Sequence, residues 1–172
     1  SDSPPEKDVL WSEQGMIASY KFIQKFWVLH KKIILKSNKK DQENFDEALE
    51  EFTNKIINRI NLSLEKFSYN VIIANLHEVY NFFSKIIESE KNINNLMNNY
   101  KKILKIMLPI VPHLASECLS QISDDKNIKW PEVNKKYLVK KRYNIVIQIN
   151  GKKRGLISTE DNFKEEDLIK QI

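Results

Sequence analysis

Few side chains in this chain could do chemistry, and their spacing argues against catalysis. The three histidines are His30, His77 and His113. None has a second histidine or a carboxylate at metal-ligand spacing with a free apex, and His77-Glu78 are merely adjacent, so no metal is expected. His30 falls on an apolar stripe and reads as a packed core residue. His113 follows Pro112 at a helix start, where capping or packing is the ordinary role. Cys118 is the one cysteine. It sits on an apolar face with no basic neighbour within one turn, so it reads as an inert buried thiol. Asp124-Asp125 and Glu165-Glu166 stand at a loop and a helix start, where solvation or the helix dipole explains them. The glycines are Gly15, Gly151 and Gly155, which excludes a glycine-rich phosphate loop. Positive charge remains. Residues 133–159 hold eight cations and no acid: Lys135, Lys136, Lys140, Lys141, Arg142, Lys152, Lys153 and Arg154. Tyr137 and Tyr143 accompany them. A basic, aromatic-containing segment fits contact with a nucleic-acid backbone.

The total charge says less than its location. Lys and Arg number 28 against 23 Asp and Glu, a net charge of +5. Only Arg59, Arg142 and Arg154 are arginines, while Ile occurs 23 times and Asn 18 times. Lys, Ile and Asn share A/T-rich codons, so part of the lysine excess follows base composition. The acid-free run exceeds the whole net charge and therefore carries the argument. Scarce arginine favours positioning of a backbone over readout of bases.

The elements that must position these residues are mostly helical. No glycine occurs in the 135 residues between Gly15 and Gly151, whereas all-β folds need many turns. Met16, Tyr20, Ile23, Trp27, His30 and Ile34 predict a first helix over 12–36. Phe45, Leu49, Phe52, Ile56, Ile60 and Leu64 predict a second, entered at Asp41. Asn70 is the expected cap of a third, with Ile72, Leu76, Tyr80, Phe83 and Ile87. Asn92 is the expected cap of a fourth, running through Met107. Pro112 suits the first turn of a fifth, ending near Ile122. The expected fold is mainly α: an antiparallel helical bundle over 12–131. A linker (1–11) precedes it and a basic connector (132–142) follows.

Beyond Trp130-Pro131 the pattern changes. Tyr143 to Ile149 is β-branched and roughly alternating, Asn150-Gly151 is a strong hairpin turn signal, and Lys153 to Thr159 is the return strand. Glu165 to Ile172 predicts a short helix. Two strands and one helix bury too little to stand alone, so 143–172 reads as the start of a truncated small α/β domain. The chain as a whole reads as an internal fragment. Its 41% hydrophobic content excludes disorder, and a single cysteine excludes a disulfide framework. Apolar runs of four or five residues exclude a membrane helix, and with no visible secretory signal the cytoplasm is expected.

Several stretches resemble one family in order. Ser3-Pro4-Pro5-Glu6-Lys7-Asp8 with Trp11 resembles the segment leaving the catalytic domain of bacterial-type leucyl-tRNA synthetases. Tyr69-Asn70-Val71-Ile72-Ile73-Ala74 is similar to the start of a bundle helix there. Pro109-Ile110-Val111-Pro112-His113, followed by Glu117, resembles the Pro-x-x-Pro-His motif, and Trp130-Pro131 the Trp-Pro after that helix. Gln148-Ile149-Asn150-Gly151-Lys152-Lys153-Arg154-Gly155 is similar to the hairpin opening the family's C-terminal domain. Leu119 departs from the usual Trp. Asn54-Lys55 and Asn61-Leu62-Ser63 replace the usual His-Lys and Thr-Glu/Asp-Asp, so the family's polar residues do not carry over there.

The resemblance implies the anticodon-binding bundle of a leucine–tRNA ligase. Such a region would brace the body of a leucine-acceptor tRNA while an absent catalytic domain, with ATP and Mg, attaches leucine. It implies no catalytic residue, no cofactor and no metal here, no DNA or membrane partner, and a monomeric full enzyme that includes its own catalytic domain as partner. The candidate tRNA contacts are Lys152 and Arg154, expected on one strand face with Lys153 on the other. Lys140, Lys141 and Arg142 come next, and Lys153 is the last candidate. Trp11, Asn70, Pro112, His113, Trp130, Asn150 and Gly151 are expected to be architectural. Isoleucyl or valyl relatives, or a helical adaptor without enzymatic activity, are the alternatives.

Overall fold

The computed structural model describes residues 11–37, 44–89, 93–123, 128–138, 143–149 and 152–159. Five helices follow in order: α1 (Glu13–Ser37), α2 (Glu47–Glu65), α3 (Tyr69–Glu88), α4 (Leu96–Met107) and α5 (Pro112–Ser120). A 3-10 turn (Lys135–Tyr137) and two strands, β1 (Tyr143–Ile149) and β2 (Lys152–Thr159), come after them. The chain divides into two compact units, Ser1–Asn134 and Lys135–Ile172.

In the first unit α4 is the hub, packing against α1, α2 and α5, while α3 packs against α1 and α2. The amphipathic period explains this. Leu96, Tyr100, Ile103, Leu104, Ile106 and Met107 of α4 are all buried, a stripe wide enough to serve three neighbours. Phe26 of α1 and Phe83 of α3 meet Tyr100 at ring distances of 6.4 and 5.6 Å. Phe52 of α2 stacks on Phe82 of α3 at 3.8 Å. Each fully buried Ile, Leu or Phe contributes about 1.5–3 kcal/mol through removal of apolar surface from water.

The starts of α2, α3 and α4 differ from those the sequence predicts. α2 begins at Glu47, with Asp46 as the cap; its carboxylate accepts from the Leu49 N–H at 3.0 Å. Asp41 lies outside the described residues, and Phe45 precedes the helix and is exposed. α3 starts at Tyr69, so Asn70 is its second residue and Ser68 holds the cap position. α4 starts after Asn95, and Asn92 lies outside the described residues. The Asn95 amide does not cap its own helix. It donates to the Asp46 carbonyl and accepts from the Asp46 N–H, at 3.0 and 3.2 Å. Nearby, the buried Glu50 accepts from Asn99 at 2.6 Å and pairs with Lys102 at 3.3 Å. Together these bonds tie the starts of α2 and α4. Pro112 occupies the first turn of α5, as its missing N–H suits.

The stripe of α1 divides in two. Phe26, Leu29, His30 and Ile33 are buried, but Met16, Ile17, Tyr20 and Ile23 are exposed. The apolar period continues through the first half of the helix without a neighbour among the described residues to cover it. Between α2 and α3, the chain reverses through Phe67 at φ 54°, with the Ser68 N–H bonded to the Ser63 carbonyl at 2.8 Å. That is a helix-terminating left-handed turn made without glycine.

Candidate nucleic-acid interface

The second unit presents the hairpin. β1 and β2 pair antiparallel, with Ile149 opposite Lys152 and Gln148 opposite Lys153. Asn150 and Gly151, the predicted turn, lie outside the described residues. The register then skips Arg154, because Ile147 pairs with Gly155. Arg154 is thus the extra residue of a β-bulge, which breaks alternation and bends the strand. The expected placing of Lys152 and Arg154 on one face assumes strict alternation, which this bulge interrupts. Both side chains are nevertheless exposed. Lys153 lies in the strand, but its side chain is outside the described residues. A Cβ at Gly155 would come 3.4 Å from Ile147 Cδ1, an ordinary contact, so packing against the isoleucine opposite does not by itself demand glycine. In the 3-10 turn Lys136 Nζ lies 5.4 Å from the Tyr137 ring centre. Lys140, Lys141 and Arg142 lie outside the described residues.

In the first unit the predicted architectural residues have distinct surroundings. Trp11 is 78% exposed. Trp130 is part-exposed and its indole N–H donates to Asn61 Oδ1 at 3.0 Å. Four residues on, the Asn134 N–H donates to Asn54 Oδ1 at 2.8 Å, while Asn54 Nδ2 donates to the Glu50 carbonyl. Asn54 and Asn61, two turns apart on α2, thereby hold the extended segment 130–134 along the helix. Sequence reasoning missed both. Their seven-residue spacing, matched to a Trp-Pro segment that needs hydrogen-bond partners, was the available signal. Asn70 serves as a helix residue, not a cap. His113 is exposed at the rim of an apolar groove of about 490 Å³ that Ile23, Trp27 and Ile110 also line.

His30 is fully buried. Its Nε2 lies 3.3 Å from Gln121 Oε1 and its Nδ1 lies 3.1 Å from Tyr100 Oη. Gln121 Nε2 donates to Glu117 at 3.0 Å, which fixes the amide orientation. An amide oxygen only accepts, so Nε2 carries the proton and Nδ1 accepts from the tyrosine. Burial holds the His30 pKa below its ordinary value, against the opposing influence of the Gln121 bond and Glu117. Cys118, hydrogen-bonded to Tyr100, is pushed up to about 11 by burial. It stays a thiol at neutral pH, with no nucleophilic character. Among the described residues no three metal-ligating side chains gather, and no helix is long and apolar enough to cross a membrane.

Comparison with known proteins accounts for this combination of a helical bundle and a basic hairpin. Residues 46–169 match the family model described as the anticodon-binding domain of tRNA ligase. Leucine–tRNA ligase of Fervidobacterium nodosum is 32% identical over 178 residues, covering 96% of this chain and 22% of that protein. The Bartonella tribocorum leucine–tRNA ligase is 31% identical over 170 residues, covering 92% and 19%. The chain thus spans about a fifth of the length of these relatives. Among solved structures, the ternary complex of Agrobacterium radiobacter K84 AgnB2 LeuRS with tRNA and LeuAMS superposes with a TM-score of 0.71 over 95% of this chain and 22% of that one, at 18% identity. This likeness is one of fold. Bundle, hairpin and sequence match together place the chain in the anticodon-binding domain family of tRNA ligases, homologous to the corresponding region of leucine–tRNA ligases.

Proposed function

We propose that this chain is the tRNA-binding region of a leucine–tRNA ligase, bracing the body of a leucine-acceptor tRNA. The observation that carries the reading is the match to leucine–tRNA ligases over more than nine-tenths of the chain. The acid-free basic segment adds physical support. A tRNA offers phosphates and shape, and exposed lysines supply what a backbone contact requires. The joining of leucine to tRNA at the expense of ATP belongs, on this reading, to a catalytic domain outside the chain. ATP and Mg belong, on the same reading, to that domain, and no residue here is assigned to them. The exposed Met16, Ile17, Tyr20 and Ile23 of α1 supply a face for that catalytic domain. The full enzyme acts as a cytoplasmic monomer.

The test uses the full-length enzyme carrying Lys152→Ala and Arg154→Ala together. The dependence of tRNA affinity on salt becomes shallower by about 1.5 in the log–log slope, at roughly 0.7–0.9 per phosphate contact. Leucine-dependent ATP–pyrophosphate exchange persists, because activation takes place elsewhere. Unchanged affinity and slope would remove the hairpin from the interface.

A further inference from the structure

A second basic surface lies within the first unit, on α1. Over 14–37 this helix carries Lys21, Lys25, Lys31, Lys32 and Lys36 and no acid. Two of these lysines are engaged. Lys36 Nζ donates to the backbone carbonyls of Ile86, Ile87 and Ser89, gripping the end of α3. Lys31 lies over the Trp27 ring at 5.5 Å. Lys21, Lys25 and Lys32 are exposed. None of the three forms an ion pair among the described residues. Spacings of four and seven residues set them on one stripe, about 6 and 10.5 Å apart along the axis.

Lys25 and Lys32 form one wall of a groove of about 620 Å³ between α1 and α3. Val28 and Leu29 supply apolar surface, and Tyr80 and Ser84 of α3 face them across it. Glu88 is its single acid, on the stretch of α3 that Lys36 grips. The grip holds the two walls together, so the groove is a fixed feature of the bundle. Cations along one wall, with hydroxyls on the other, match a strand that presents phosphates and ribose hydroxyls.

We propose that the α1–α3 groove seats a stretch of RNA backbone, with Lys25 and Lys32 on its phosphates and Lys21 extending the row. The proposal rests on the tRNA reading above and adds a second contact surface to it. The test compares full-length wild type, a Lys25→Ala/Lys32→Ala variant and a Lys25→Arg/Lys32→Arg variant for binding of the leucine-acceptor tRNA across a salt series. Alanine keeps the helix, being its best former. The alanine pair weakens binding roughly three- to tenfold at low salt and makes the slope shallower by about 1.5, while the arginine pair retains the wild-type slope. A Lys55→Ala control, whose lysine pairs with Glu51 on α2, leaves the slope alone. Salt-dependent wild-type binding with an unchanged slope in the alanine pair overturns the groove proposal and leaves the groove to an acidic protein segment. Absence of salt-dependent tRNA binding by the wild type overturns the tRNA reading itself.

Discussion

At the scale of single residues, His30 shows how burial and hydrogen bonding fix one protonation state. The chain Tyr100–His30–Gln121–Glu117 joins α1, α4 and the end of α5, and burial favours the neutral imidazole within it. Protonating Nδ1 would turn the Tyr100 hydroxyl from donor to acceptor and, at greater cost, bury a charge. Lys31 also disfavours the cation, while Glu117 favours it. Because the folded pKa is depressed, the unfolded state binds the proton first on acidification. Stability from this site is therefore present above the unfolded value of about 6.5 and is lost as pH falls toward the folded value. Urea denaturation at pH 7.5 and 5.5 should show the wild type losing stability on acidification. The His30→Gln variant should lose less over the same interval, although it is less stable at pH 7.5. Equal pH slopes would show that His30 does not titrate on unfolding.

At the scale of elements, the turn between α2 and α3 carries a local conflict. Phe67 adopts a left-handed conformation at φ 54° that costs a residue with a Cβ about 1–2 kcal/mol. Its ring is 64% exposed and meets Tyr69 at 6.4 Å, so little burial offsets the strain. Glycine there removes the clash but adds about 0.5–1 kcal/mol of unfolded-state entropy. Phe67→Gly should therefore raise stability by about 0.5–1 kcal/mol, measured as a shift of the urea midpoint at unchanged m-value. A lower midpoint would assign the Phe67–Tyr69 contact more energy than its exposure suggests. The hairpin makes a different point about elements. Its pairing across Asn150-Gly151 is legible in sequence, because two residues separate the paired Ile149 and Lys152. The bulge at Arg154 is not, because a strand's hydrophobic pattern does not encode where the partner's register slips.

At the scale of the whole molecule, charge and apolar surface are unevenly spread. α1 carries five lysines and residues 133–159 carry eight cations without an acid, while α2 carries Glu47, Glu50, Glu51 and Glu65 against Lys55 and Arg59. The first half of α1 keeps an apolar stripe open to water. Two adjoining grooves there share Ile23, Ile110 and Val111. A contiguous exposed apolar patch of this kind marks an interaction face. An Ile17→Ser/Tyr20→Ser pair should change the stability of this chain by only about 0.5 kcal/mol per site, as surface positions do. In the full-length enzyme the same pair should lower the thermal midpoint by several degrees and speed proteolytic cleavage near α1. Equal, small effects in both would show the face to be free in the full enzyme.

Helical character, the position of the hairpin and the acid-free basic run are all legible in the sequence. These follow from glycine scarcity, apolar period and turn chemistry, all read within a window of a few residues. It also carried the family resemblance, through motifs that are short and local. Tertiary structure alone decided which half of the α1 stripe is covered, where the helix caps fall, and that Asn54 and Asn61 grip the segment after α5. It decided too that His30 is held by Tyr100 and Gln121. The physical reason is separation along the chain. Asn134 bonds a residue 80 positions away, Trp130 one 69 away, and His30 residues 70 and 91 away. A polar side chain takes the partner that packing brings to it, so the same asparagine can cap a helix, brace a neighbour or hold a strand.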